Sequence, residues 1–69
     1  MVLESNQYFI HVWVKGEEHL DSDFTALEAA VKRFEYLKDH WQEVFPDGLT
    51  AVELVDQCFD QIDQFNPIN

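Results

Sequence analysis

Basic residues are scarce in this chain of 69 residues. Four lysines and arginines stand against fourteen aspartates and glutamates, which gives a formal net charge of -10 at pH 7. Seven of the acids follow Lys38, and no lysine or arginine does. A surface this acidic repels nucleic acid and anionic membranes. The charge therefore favours a basic protein surface as partner and argues against direct binding of nucleic acid or a membrane.

Cysteine is also nearly absent, since Cys58 is the single one. No disulfide within the chain can therefore support a core that is marginal at this length, and the apolar area must come from ten aromatic residues. The first ten residues include Glu4 and have neither a basic region nor a long apolar run, so we expect no signal peptide and no membrane span. These features favour a reducing cytoplasm.

Sequence patterns typical of catalysis and metal binding are missing as well. The two glycines form no phosphate-cradling loop, and no nucleophile has a base at a recognisable spacing. His11, His19 and His40 lack the HxxxH and HExxH spacings that place two ligands on one helix face. We therefore expect no enzyme activity, no metal site and no cofactor.

The order of apolar and turn residues predicts a small single domain, residues 1–69, of the α+β class. An N-terminal β-strand or hairpin is followed by two amphipathic α-helices. The predicted elements are a strand at about 8–14, a weaker strand at about 18–22, a helix at about 26–43 and a helix at about 51–65.

The first strand raises the question of an interface. Alternation along a strand would place Phe9, His11 and Trp13 on the face opposite the core. Exposed apolar patches with polar rims often mark interfaces, so these three residues, together with Trp41 of the first helix, predict a homodimer interface. The alternative is that one of the chain termini covers Trp13.

Both helices are predicted from a shared starting pattern. Thr25 precedes Glu28 by three positions and Thr50 precedes Glu53 by three, which is the spacing of a reciprocal capping box. Apolar residues then recur at steps of three or four. A strand at 49–55 is the alternative for the second segment, but the capping box and the longer helical period favour a helix.

A helix over 51–65 would carry an acidic stripe. Four acids fall on one side of it, and none has a cationic partner three or four residues away. We predict that this stripe, joined by acids of the turn and the second strand, binds a basic surface of a partner protein. The residues in this hypothesis are Glu53, Asp56, Asp60, Asp63, Glu17, Glu18, Asp21 and Asp23.

These features predict a non-enzymatic acidic protein-binding module that occupies a basic surface, such as the nucleic-acid groove of another protein, and inhibits or regulates it. Phage and mobile-element inhibitors of host defence share its small size and acidity, although no motif carries that similarity. The stripe by itself is too sparse for DNA mimicry, with one charge per roughly 4 to 5 Å against one per about 1.7 Å in a duplex. The alternative is a structural or regulatory homodimer whose acids only provide solubility.

Overall fold

A computed structural model describes residues 7–67. These residues form four strands and one helix: β1 (Tyr8–Val14), β2 (Glu17–Phe24), α1 (Leu27–Val44), β3 (Ala51–Asp56) and β4 (Gln61–Phe65). The strands pair antiparallel in one sheet, in the order β2-β1-β3-β4. The helix packs on one face of this sheet, against β1, β2 and β3. Within the described range, no helix is long and apolar enough to cross a membrane.

The first hairpin follows the sequence pattern. β1 occupies the range predicted for the first strand, and β2 extends beyond the predicted 18–22 at both ends. Lys15 and Gly16 connect the strands and have φ of 55° and 82°, as a two-residue type I′ turn requires. A register shift on the β2 side of Ile10 and His11 leaves Asp21 without a partner on β1, which is a β-bulge.

The core lies between α1 and the sheet. The helix contributes residues spaced three and four apart, and β1 and β3 contribute alternate residues, as helical and strand periods require. A buried leucine just before β3 completes the set. The buried core residues are Ile10, Val12, Ala30, Phe34, Leu37, Leu49, Val52 and Leu54.

The helix begins and ends one residue later than predicted. It spans Leu27–Val44 where the pattern predicted 26–43. Its N-cap residue is Ala26, and no side chain caps it. The capping box predicted for Thr25 and Glu28 is therefore not formed. The periodic apolar face, packed on the sheet, is what positions this helix.

The prediction of a helix at 51–65 is wrong, and with it the predicted α+β fold of a hairpin followed by two helices. This segment forms the antiparallel pair β3 and β4. The Thr50 amide donates a hydrogen bond to the carbonyl oxygen of Trp13, at 2.8 Å. Thr50 thus extends the pairing of β3 with β1 instead of capping a helix. The alternative of a strand at 49–55 is correct in type, although β3 begins at Ala51 and ends at Asp56.

Two features of the segment explain why it forms strands. Val52 and Leu54, two positions apart, are both buried against the helix side, which a strand achieves through its period of two. Asp56 then reverses the chain, because its Oδ1 accepts hydrogen bonds from the backbone N–H groups of Cys58 and Asp60, both at 2.9 Å. Aspartate favours turns through such bonds to the backbone that follows it.

Candidate functional site

The predicted acidic stripe does not form, because its residues lie on a hairpin. Asp56 is the last residue of β3, and Asp60 lies in the turn between β3 and β4. Glu53 lies opposite His11, whereas Asp63 lies opposite Leu54 of the core. Directly opposed residues share a sheet face, so Glu53 and Asp63 are on opposite faces.

Asp21 has a structural role. Its side chain is 9% exposed, and its two oxygens accept hydrogen bonds from Arg33 of α1 at 2.9 and 3.0 Å. Ser22 donates a third at 2.8 Å. Burial alone would raise the pKa of Asp21, but the hydrogen bonds and the guanidinium charge outweigh it and hold that pKa below its usual value. Asp21 thus ties the bulge of β2 to α1 and is not available to a partner.

The other three predicted acids of this hairpin divide between the sheet faces. Glu18 lies opposite Trp13 and Asp23 opposite Phe9, so both share the face that points away from the helix. Glu17 lies opposite Val14, which packs against the core on the helix side.

The structure brings together the three strand residues predicted at an interface. Phe9, His11 and Trp13 line the sheet face opposite α1, which we call the aromatic face. The ring centroids of Phe9 and His11 are 6.4 Å apart in a stacked arrangement, and Trp13 meets His11 edge to face at 6.4 Å. Trp41 does not join them, because it is partly buried against the core.

A fourth aromatic ring, which the sequence pattern did not predict here, completes the row. Phe59 lies in the turn between β3 and β4 and stacks on Phe9 at 5.7 Å and on His11 at 6.4 Å. Val55 lies opposite Phe9 in the register and is only 2% exposed. The aromatic face therefore has a small apolar centre of its own, separate from the core under α1.

Phe59 is held in an unfavourable backbone conformation. Its φ is 63°, in the left-handed region that glycine or asparagine adopts readily and a bulky residue rarely does. An L-residue in this conformation lowers the stability of the fold by roughly 1 to 2 kcal/mol. The Phe59 side chain nevertheless remains 65% exposed. Backbone strain of this kind is concentrated at functional sites.

Carboxylates border the aromatic face on both sides. Glu18 lies 3.4 Å from the Nδ1 atom of His11, Asp23 is beside Phe9, and Glu53 is across the strand pair from His11. The helix holds four acids and three basic residues, a net charge of -1. The rest of the chain therefore carries -9, with Lys15 as its one lysine or arginine. None of the four described strands contains a lysine or arginine.

Two grooves flank the sheet. The first, of about 360 Å³, lies beside Trp13 and is lined in addition by Thr50, Ala51, Val52, Glu53 and Gln64. The second, of about 340 Å³, lies at the other end of β1 and is lined by Gln7, Tyr8, Leu27, Asp56, Gln57, Cys58 and Ile62. The single charged group of the second groove, Asp56, already accepts bonds from the turn.

The described residues thus present an aromatic surface bordered by carboxylates. They contain no group of three histidine, cysteine or acidic side chains arranged to hold a metal ion. Aromatic rings with adjacent carboxylates attract cationic groups, through the ring face and through ion pairing together. No protein-family model, curated protein or solved structure matches this chain.

Proposed function

We propose that the protein is a non-enzymatic binding module that recognises a basic surface of a partner protein through its aromatic face. The observation that carries this proposal is Phe59, an exposed ring retained in a left-handed conformation and stacked on the strand aromatics. A glycine or asparagine would form the same turn with less strain. The ring at this position therefore points to a role in binding, since exposed aromatic residues are frequent anchors in interfaces.

The distribution of charge supports a basic partner over a second copy of the chain. Glu18, Asp23 and Glu53 border the aromatic face, and the strands that carry it contain no lysine or arginine. Two such faces in contact would bring like charges together, which costs several kcal/mol in an interface. A basic partner would instead pair with these carboxylates, so the structure favours it over the homodimer.

Occupying a basic surface would inhibit or regulate the partner. Basic surfaces often serve nucleic acid or other anionic ligands, and an acidic module seated on one would compete with them. We place this activity in a reducing compartment such as the cytoplasm, because Cys58 is exposed and unpaired in the described structure. The sheet face, and not an acidic helix, is the proposed contact.

The test compares two variants that each remove one exposed aromatic ring. Phe59→Asn removes a ring from the aromatic face at a position where asparagine suits the backbone, and Tyr36→Gln removes one from α1, where Tyr36 is 45% exposed. Immobilised wild type and variants are exposed to a lysate of the source organism, and bound proteins are identified and then purified for affinity measurements at two salt concentrations.

We expect a basic protein bound by wild type and Tyr36→Gln but at least about tenfold more weakly by Phe59→Asn, a loss of about 1.4 kcal/mol. The affinity of wild type for this partner should fall as the salt concentration rises. A partner that binds Phe59→Asn as tightly as wild type, or whose affinity ignores salt, would contradict the proposal.

A further inference from the structure

The groove beside Trp13 has the composition of a site for one cationic side chain. Trp13 and Ala51 lie opposite each other in the register, and Glu53 lies opposite both His11 and Gln64. Alanine adds only a methyl group, so it leaves space beside the indole. The groove measures about 360 Å³, near the lower end of the volumes of roughly 300 to 1,000 Å³ typical of ligand sites.

The polar groups of this groove are complementary to a guanidinium. Glu53 is half-buried and takes part in no ion pair within residues 7–67, so its carboxylate can accept two parallel N–H bonds. The amide oxygen of Gln64 can accept a further bond. Trp13 lines the groove, and an indole is the aromatic group on which a planar cation stacks best.

We propose that this groove binds an arginine side chain of the partner, an inference that rests on the proposed function and names the group recognised. Arginine fits better than lysine because its flat guanidinium can stack on Trp13 and donate a fork of bonds to Glu53 at the same time. An apolar side chain would leave the Glu53 carboxylate buried without a partner. A nucleotide would bring its phosphate towards Glu18 and Glu53.

The test is a titration of the full chain with blocked amino acids. Binding is monitored through the nuclear magnetic resonance signal of the Trp13 indole N–H. The probes are N-acetyl-arginine amide, the lysine equivalent, and the citrulline equivalent, which has nearly the shape of arginine without its charge. Ionic strength is held constant. We expect a saturable shift with arginine and affinity about tenfold lower for citrulline, because the charge-assisted bonds are lost.

A matched pair of variants locates the response. Glu53→Gln removes the carboxylate of the groove, and Glu28→Gln makes the same change on the exposed surface of α1. The arginine response should be lost in Glu53→Gln and kept in Glu28→Gln. Equal responses to arginine and citrulline in wild type, or an unchanged response in Glu53→Gln, would overturn the inference. So would a single-stranded oligouridylate that shifts the Trp13 signal when arginine does not.

Failure of this inference can be told apart from failure of the proposed function. If binding of the captured partner requires Phe59 but is unchanged in Glu53→Gln, the assignment of the arginine site is wrong and the aromatic face remains the proposed interface. If partner binding is independent of Phe59, the proposed function is wrong, and the arginine titration still decides whether the groove binds a guanidinium. The comparison of arginine with citrulline uses wild type alone, so it does not depend on the folding of a variant.

Discussion

Replacing Phe59 with glycine should destabilise the protein less than replacing it with alanine. Both changes remove the ring that stacks on Phe9 and His11. Only glycine also relieves the backbone at φ of 63°, because it has no Cβ to clash in the left-handed region. At most positions the alanine variant of a protein is more stable than the glycine variant, and here we expect the reverse.

The magnitude follows from the exposure of the ring. Phe59 is 65% exposed, so about a third of its area, on the order of 70 Å² of roughly 200 Å², is buried. At about 25 cal/mol per Å², both variants lose up to about 1.8 kcal/mol of burial. Alanine retains a left-handed strain of about 1 kcal/mol that glycine does not have. The glycine variant should therefore be the more stable by about 1 kcal/mol.

Urea unfolding, monitored by circular dichroism, measures this difference in stability. The two variants should have similar dependence on urea and differ in midpoint, and their melting temperatures should differ by roughly 4 to 8 °C. The control is the same pair of substitutions at Lys32 in α1, where alanine should be more stable than glycine by about 1 kcal/mol. A Phe59→Gly protein no more stable than Phe59→Ala would refute the left-handed conformation and the strain argued from it.

Three further predictions concern the fold. Asp21→Asn should lower the free energy of unfolding by about 1 to 2 kcal/mol at pH 7. This figure already allows for solvent screening of the ion pair, because Arg33 is one-third exposed. Folding lowers the pKa of Asp21, so this stabilisation is present above about pH 4 and is lost as pH falls through the folded pKa. In urea unfolding, the difference in free energy of unfolding between wild type and Asp21→Asn should therefore be smaller at pH 3 than at pH 7. Phe34→Ala should cost about 3 to 5 kcal/mol, because the ring is 1% exposed, and calorimetry should show the cooperative transition greatly weakened or lost. Lys15→Asn should raise the melting temperature by a few degrees, since asparagine favours positive φ beside Gly16; an unchanged or lower melting temperature would contradict this.

The helix α1 was predicted well because one of its faces is apolar and the other is polar. α1 buries Ala30, Phe34 and Leu37 at helical steps, and its position was predicted within one residue. β3 has no such contrast, because Val52 is buried under the helix and Val55 is buried on the aromatic face. Two buried valines three positions apart imitate a helical period. Burial on both faces of this strand therefore removed the alternation that would have identified it.

The candidate site was predictable in part. Phe9, His11 and Trp13 follow from alternation along β1, whereas Phe59 could not be placed until the turn after Asp56 was known. That turn lacks the glycine, proline or asparagine that usually marks a hairpin. Its one sequence signal is Asp56, which begins the reversal by accepting backbone bonds.

The same residue choice therefore made the hairpin hard to recognise and built the surface proposed here. A glycine at position 59 would have marked the turn and lowered its strain, but it would have removed the ring that stacks on Phe9. Sequence rules for local structure are expected to fail where a residue serves another purpose at the expense of local stability. That failure falls at Phe59, the exposed and strained ring stacked on Phe9 and His11, and therefore on the aromatic face through which we propose that the partner binds.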